Sequence, residues 1–406
     1  MSACGSSATP PVATPSQQPG QVRAISTSGT PTPEPSAAAS PSPTAAPTIV
    51  AASPSAAPTI KLGLLAPFSG LAAAFGQDML KGAQMALDEA NGTGGVGGKR
   101  VLLDQADDKA DAAAAPAAAQ KLVSDGVVAV IGPATSPSAL AVEASLNQAK
   151  IPTITPSAND PRITDQALPF VFRAAGRWDQ EPPLIASFLL GQPGTAKIAL
   201  VADRSEYGQT LAAGMRQAIA KANAKLLAVE TVDSGSKDFG PLVAKLKATS
   251  PGAVFYAGYA ADGGALAKAL RAAGVQSKLA MGDAAQDQAL LASAGAAAEG
   301  LTFAYPPDPK RSPTASVLLD AYKRRYNTPA SLYALSTYDT ARLVLDALRR
   351  AGSADGDAVR QALAATSDFS GAYWGKMRFD ANGDLRAPTY ALWTVHGGRF
   401  EQTGAS

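Results

Sequence analysis

Residues 127–160 read VVAVIGPATSPSALAVEASLNQAKIPTITPSAND and contain two loops rich in hydroxyl groups. The first carries Thr135, Ser136, Pro137 and Ser138; the second carries Ser157 and Asn159. Each follows a short apolar run, 127–131 or 151–154, that predicts a strand. Ligands of an open parallel sheet bind beyond the carboxyl ends of its strands. The first loop also opens a helical pattern, with Leu140, Ala144 and Leu146 near one face. The free N–H groups and positive dipole end of such a helix attract a carboxylate or phosphate. Ser136 ahead of Pro137 fits an N-cap followed by proline at the first helical position. That role does not exclude pairing with a ligand carboxylate. Neither loop holds an obvious catalytic group, so the stretch reads as a cradle for a small anionic or zwitterionic molecule.

Three further groups sit after other predicted strands. Tyr207 follows a strand over 197–202, Tyr259 follows one over 253–257, and Asp283 follows one over 278–281. A lone aspartate after a strand is usually a solvated cap. Ser136, Tyr207, Tyr259 and Asp283 at equivalent topological positions point instead to a shared crevice.

The residues needed for most covalent and metal chemistry are missing. The chain has one histidine, His396, and one cysteine, Cys4. A histidine-rich metal site and a cysteine–histidine nucleophile are therefore not expected, and His396 before Gly397-Gly398 reads as a turn residue. There is no G-x-S-x-G elbow and no H-E-x-x-H motif. Only a hydrolase built from carboxylates alone stays open. Residues 92–97 match G-x-G-x-x-G, but the segment follows a helix and leads into a strand, the reverse of a dinucleotide loop. It reads as a glycine-rich helix stop. No cofactor and no metal are expected.

These groups need a scaffold, and the apolar pattern supplies one. Strand and helix alternate from residue 59: strand 60–66, helix 75–91, strand 100–106, helix 110–124, then the two strands above. The rhythm restarts with strand 197–202, helix 207–222, strand 226–232, helix 239–247, strand 253–257, helix 262–273 and strand 278–281. Such alternation marks parallel sheets covered by helices, here in two lobes. After residue 300 the pattern turns helical over 313–326, 332–351 and 354–365. Strands follow over 373–379 and 389–395, around a turn at 380–383. This tail can return the chain to the first lobe and then to the second, giving a hinge of several strands.

Residues 1–58 are almost all Ala, Pro, Ser, Thr and Gly. They offer too little apolar surface to offset the entropy of ordering, so a disordered, partly extended tether is expected. With 35 basic and 33 acidic residues and no basic block, nucleic acid is not an expected partner. No window from residue 59 onward is long and apolar enough to span a bilayer. Ser2-Ala3-Cys4-Gly5 resembles the end of a bacterial lipoprotein signal, in which lipid attaches to the cysteine sulfur. Met1 stands where leucine is usual and no apolar core precedes it, so the expectation is a true start further upstream or a trimmed signal. With the lipid, the tether would join a membrane surface to the folded body.

The body, about 59–400, resembles the type I periplasmic solute-binding proteins, closest to the branched-chain amino-acid receptors of ABC importers. The resemblance is carried by IKLGLLAPFSGLAAAFGQDMLKGAQMALDEAN, VVAVIGPATSPSA, IPTITPSAND, IALVADRSEYGQTLA, KDFGPLVAKLK, VFYAGYAADGGALAKALRAAG and SLYALSTYDTARLVLDAL, which run in family order. It implies a clamshell of two doubly wound Rossmann-like lobes, 59–175 with 307–386 and 176–306 with 387–406, closing by a hinge motion on a ligand between them. It places Ser136 on the ligand carboxylate, Asp283 on the α-ammonium, Tyr207 and Tyr259 over the ligand from the second lobe, and Phe75 where relatives often carry tyrosine. Ser157 and Asn159 belong to the second loop; Asn159 replaces a common threonine and can both donate and accept. The resemblance further implies a monomeric, non-enzymatic extracytoplasmic protein, lipid-anchored through Cys4, that delivers a small amino acid to membrane permease subunits. A sensor or envelope scaffold on the same fold, with an amide or aromatic acid as ligand, is the alternative.

Overall fold

A computed structural model of the chain describes residues 58–404 apart from 71, 237, 387 and 388. Cys4 and the expected tether, up to residue 57, lie outside the described residues.

Two sheets organise the body. The first contains β1 (Thr59–Ala66), β2 (Arg100–Asp107), β3 (Val130–Ile131), β4 (Thr153–Thr155) and β5 (Val171–Arg173), in spatial order β2-β1-β3-β4-β5. All its pairings are parallel. The second contains β6 (Lys197–Asp203), β7 (Lys225–Val232), β8 (Ala253–Ala257), β9 (Lys278–Met281) and β10 (Thr302–Tyr305). These run β7-β6-β8-β9-β10, the same order repeated. Each sheet thus reverses its winding once, between β1 and β3 and between β6 and β8. In open α/β sheets that reversal leaves a crevice at the strands' carboxyl ends. The two α/β lobes expected from the alternating pattern, and the double winding implied by the resemblance, are the ones observed.

Helices cover both faces. Around the first sheet are α1 (Ala73–Gly92), α2 (Ala115–Ser124), α3 (Ser136–Gln148) and the short α4 (Arg162–Asp165). Around the second are α5 (Glu181–Leu190), α6 (Glu206–Lys221), α7 (Gly240–Thr249), α8 (Ala260–Ala272) and α9 (Gln288–Ala294). Then come α10 (Pro313–Tyr326), α11 (Leu332–Ala351) and α12 (Gly356–Ala364), which join the core of the first sheet through Leu318, Leu335, Val344 and Val359. A small hairpin, β11 (Phe369–Ser370) with β12 (Lys376–Met377), follows. β13 (Ala391–His396) and β14 (Arg399–Gln402) then extend the second sheet, β13 antiparallel to β10 and β14 antiparallel to β13. His396 closes β13 just before the Gly397-Gly398 turn, with its Nδ1 3.4 Å from Glu299.

The parallel strands are buried on both faces, which is why they read as continuous apolar runs rather than alternating ones. Leu62, Leu64 and Ile131 pack under α1 and α11, while Leu65 and Val130 pack under α2 and α3. The α1–α11 contact is close enough to require glycine. A Cβ on Gly82 would stand 2.2 Å from the Ala334 carbonyl oxygen. Gly82→Ala is expected to cost about 2–3 kcal/mol of stability by overpacking, measured by urea unfolding; a loss below about 0.5 kcal/mol would mean that the helices slide apart freely.

Three expected elements shorten, each for a local reason. The helix expected from 110 begins at Ala115. Lys109 and Ala110 take φ of +54° and +56°, and the carboxylates of Asp108 and Asp111 accept the N–H groups of Ala110 and Ala113, both at 2.9 Å. Aspartate side chains here outcompete the helix for backbone donors. The strand expected over 127–131 narrows to β3: the Val127 N–H bonds back to Leu122 at the end of α2, while Val128 and Ala129 still bond to Lys61 and Gly63 of β1. The strand expected over 373–379 narrows to β12. The N–H groups of Ala372, Tyr373 and Trp374 all donate to the Asp339 carboxylate at 2.7–2.9 Å, leaving none for a ladder.

Candidate functional site

The carboxyl ends of both sheets face one cleft. Its outer part is a cavity of about 760 Å³ lined by Ser136, Asn159, Tyr207 and Tyr259 among others. Its inner part, about 180 Å³, is lined by Ser157, Asn159 and Asp283 together with Tyr333, Trp374 and Tyr390. Asn159 belongs to both. Six of the residues singled out in the sequence therefore meet at one place. Phe75 lines neither cavity but stacks on Tyr333, ring centroids 4.4 Å apart, with 40 % of its surface still exposed. Two further grooves, of about 630 and 860 Å³, lie against α1 and α11 and against α5 and α6; the second adjoins the outer cavity and shares Pro161, Trp178 and Thr210 with it.

The hydroxyl loops are braced from below. Ser157 donates to the Ala134 carbonyl at 2.8 Å, and Thr155 donates to that of Pro133 at 2.8 Å. These bonds tie the loop after β4 to the loop after β3. Ser136 is not the N-cap expected from its sequence; that position is Thr135, with φ −114° and ψ 147°, and Ser136 is the first helical residue. Its hydroxyl accepts the Asp160 N–H at 3.2 Å instead, joining the two loops again. Gly132 allows the close passage that this requires: its φ is +114°, and a Cβ there would lie 2.0 Å from the Leu65 carbonyl oxygen.

The opposite wall is acidic and aromatic. Tyr207 donates to Asp283 Oδ1 at 2.8 Å and accepts the Ala284 N–H at 3.3 Å. Tyr259 leans on Tyr207 at 5.4 Å between centroids and is 47 % exposed, so it forms a lip of the cleft. Behind Asp283 stands Glu181, fully buried in the first turn of α5. Its Oε2 accepts the Asp283 N–H at 3.0 Å. Burial first, and the neighbouring Asp283 charge second, push the Glu181 carboxyl well above the ordinary range. Burial also raises Asp283, against the bonds from Tyr207 and the Ala284 N–H. Tyr207 is raised by burial and by both acids. Such a site favours a cation that restores the missing positive charge.

Several residues of this site carry no sequence signal of their own. Tyr333, Tyr373, Trp374 and Tyr390 line the inner cavity from the late part of the chain. Ser336 accepts from Trp374 Nε1 at 2.9 Å and donates to the Pro156 carbonyl at 2.6 Å. The one available hint was Ser336 and Asp339 inside an otherwise apolar helical stretch, since buried polar groups on a helix must find partners elsewhere. Among the described residues no group of three or more His, Cys, Asp or Glu is arranged to hold a metal ion.

Two lobes whose strand ends share a polar, aromatic-lined cleft define a binding protein for small molecules. The family model described as periplasmic binding protein matches residues 59–398, and the chain belongs to that family, whose members are substrate-binding proteins. A Leu/Ile/Val-binding protein homologue of Brucella melitensis is 32% identical over 342 residues, covering 84% of this chain and 92% of that protein. The leucine-, isoleucine-, valine-, threonine- and alanine-binding protein of Pseudomonas aeruginosa is 30% identical, covering 84% and 91%. Among solved structures, the branched-chain amino acid transporter substrate-binding protein of Streptococcus pneumoniae in complex with isoleucine aligns with a TM-score of 0.69 at 29% identity, covering 84% of this chain and 98% of that one. An ABC transporter substrate-binding protein of Desulfitobacterium hafniense in complex with leucine aligns at 0.73 and 26%, covering 85% and 100%. These relatives favour a transport receptor over the sensor or scaffold alternative.

Proposed function

We propose that this protein is the extracytoplasmic receptor of an ABC importer and that it binds a branched-chain amino acid between its lobes. The observation that carries the reading is the polarity of the cleft. Hydroxyl groups and a helix start lie on one side, the Asp283–Tyr207 pair lies on the other, and aromatic rings line the inner cavity. The ligand carboxylate would meet Ser136 and the first-turn N–H groups of α3. The ammonium would meet Asp283 in a charge-assisted hydrogen bond. Ser157 and Asn159 would hold the backbone of the ligand, and an apolar side chain would lie against Tyr333, Trp374 and Tyr390.

Closure would move 59–175 with 307–386 against 176–306 with 387–406, bringing Tyr259 and Phe75 over the ligand. The transporter substrate-binding proteins among the solved structures support delivery to a membrane permease. No described helix is long and apolar enough to cross a membrane, and the Ser2-Ala3-Cys4-Gly5 stretch supports Cys4 as a lipid attachment point.

The direct test is a thermal-shift screen of protein unfolded and refolded to remove bound ligand. A ligand selective for the folded state adds about 4 kcal/mol of stability at a thousandfold excess over Kd. Leucine, isoleucine or valine should raise Tm by several degrees. A rise with an uncharged amide or an aromatic acid and none with any amino acid would discard the zwitterion reading.

A further inference from the structure

Glu181 has no role in the contacts proposed so far, yet it is the most secluded acid at the site. It is fully buried, its Oε1 has no hydrogen-bond partner, and its Oε2 is occupied by the Asp283 N–H. No salt bridge among the described residues reaches Glu181 or Asp283. The groups facing the pair from the surrounding elements are Tyr207 on α6, Tyr390 ahead of β13, Tyr305 at the end of β10 and Tyr333 on α11. The turn that opens α5 brings Asp179, already paired with Arg177 at 2.9 Å. The Arg173 charge acts on Tyr390. The buried Glu181 and the cavity-lining Asp283 therefore stand side by side, with phenols around them and no salt-bridged cation among the described residues. Ionising two adjacent carboxyl groups together in that setting is costly.

We propose that Glu181 and Asp283 hold a single shared proton in the free receptor, and that arrival of the ligand's ammonium beside Asp283 expels this proton to solvent. The inference rests on the amino-acid reading above. The step balances simply: one carboxyl O–H bond ionises, its proton goes to water, and the ligand keeps its own ammonium protons. The incoming cation supplies the charge that the proton supplied before. Glu181 is then a positioning residue that does not touch the ligand but sets the charge state of the residue that does. Glu181 is the member that keeps the proton: burial and then the Asp283 charge push it well up, whereas contact with Glu181 works against the burial that raises Asp283.

The experiment compares the full chain with E181Q in two assays between about pH 5 and about pH 8, above the ordinary carboxylate range of about 4.3. The first is melting without ligand. A carboxyl held above its unfolded value stabilises fully below that value, and the stabilisation is lost as pH rises through the folded one. The Tm of the wild type should therefore fall relative to that of E181Q as pH rises. A constant offset overturns the shared proton whatever the ligand is. The second assay is leucine titration calorimetry in buffers of contrasting ionisation enthalpy. Wild-type affinity should rise with pH by up to about tenfold per unit, the limit for one proton released, and E181Q should lose that slope. Leucine binding with no proton release and no slope overturns the expulsion step. Diverging melting curves with no leucine binding overturn the amino-acid reading and the expulsion with it, while the shared proton stands.

Discussion

Arg173→Ala is expected to lower the unfolding free energy by about 3–5 kcal/mol, the usual result of orphaning one half of a buried ion pair. Arg173 ends β5 and is fully buried. Its Nε and Nη2 donate to Asp384 Oδ1 at 2.8 and 2.6 Å, its Nη1 donates to the Asp160 carbonyl at 2.6 Å, and its Nη2 also reaches Thr164. Arg177 donates to the other Asp384 oxygen at 2.9 Å. The backbone follows the same path, with the Arg173 N–H donating to the Gly383 carbonyl at 2.9 Å. The cluster thus ties the segment leaving the first sheet to the segment returning from the late helices, and it holds the Asp160 end of the loop after β4. Burial raises Glu143 nearby to about 8, and the Arg173 charge limits that rise. Asp384→Ala should cost a similar amount, because it leaves two guanidinium groups short of one partner. The double variant should cost less than the sum of the single ones, as expected for residues in direct contact. Urea unfolding followed by tryptophan fluorescence decides the matter, and single-variant losses below about 1 kcal/mol would show that the cluster relaxes or hydrates cheaply.

The second large effect is on binding. Asp283→Ala should weaken leucine binding by about 3 kcal/mol, more than a hundredfold, the upper end for a hydrogen bond to a charged group. The variant removes the acceptor of the Tyr207 hydroxyl as well as the proposed partner of the ammonium. Ser136→Ala should cost about 1 kcal/mol, because its hydroxyl competes for one end of the ligand only and also serves the Asp160 N–H. Isothermal titration of both variants, with unfolding curves to show that each is folded, separates binding from stability. Wild-type affinity in both would discard the assignment of the site.

Much of this architecture was legible because it is local. Apolar runs such as KIALVAD and AVFYA are long enough to mark β6 and β8, and loops after such strands lie at carboxyl ends in any parallel sheet. Ser136, Ser157, Asn159, Tyr207, Tyr259 and Asp283 could therefore be found by position alone. Where local chemistry competed, the reading slipped: Thr135 rather than Ser136 caps α3, and Asp111 delays α2 until Ala115. The residues that complete the site are separated in sequence by distances that no periodicity spans. Glu181 meets Asp283 across 102 positions, Arg173 meets Asp384 across 211, and Ser336 meets Pro156 across 180. An isolated acidic or aromatic residue reads the same whether it is solvated or enclosed. Its charge state depends on how much water the fold removes and on which group the fold sets beside it. The sequence by itself determined the two α/β lobes, the family resemblance and the loops that face the cleft. Only the tertiary structure decided that a fully buried acid, Glu181, would stand behind Asp283 at the wall of that cleft, because desolvation belongs to the packed molecule and not to any residue in it.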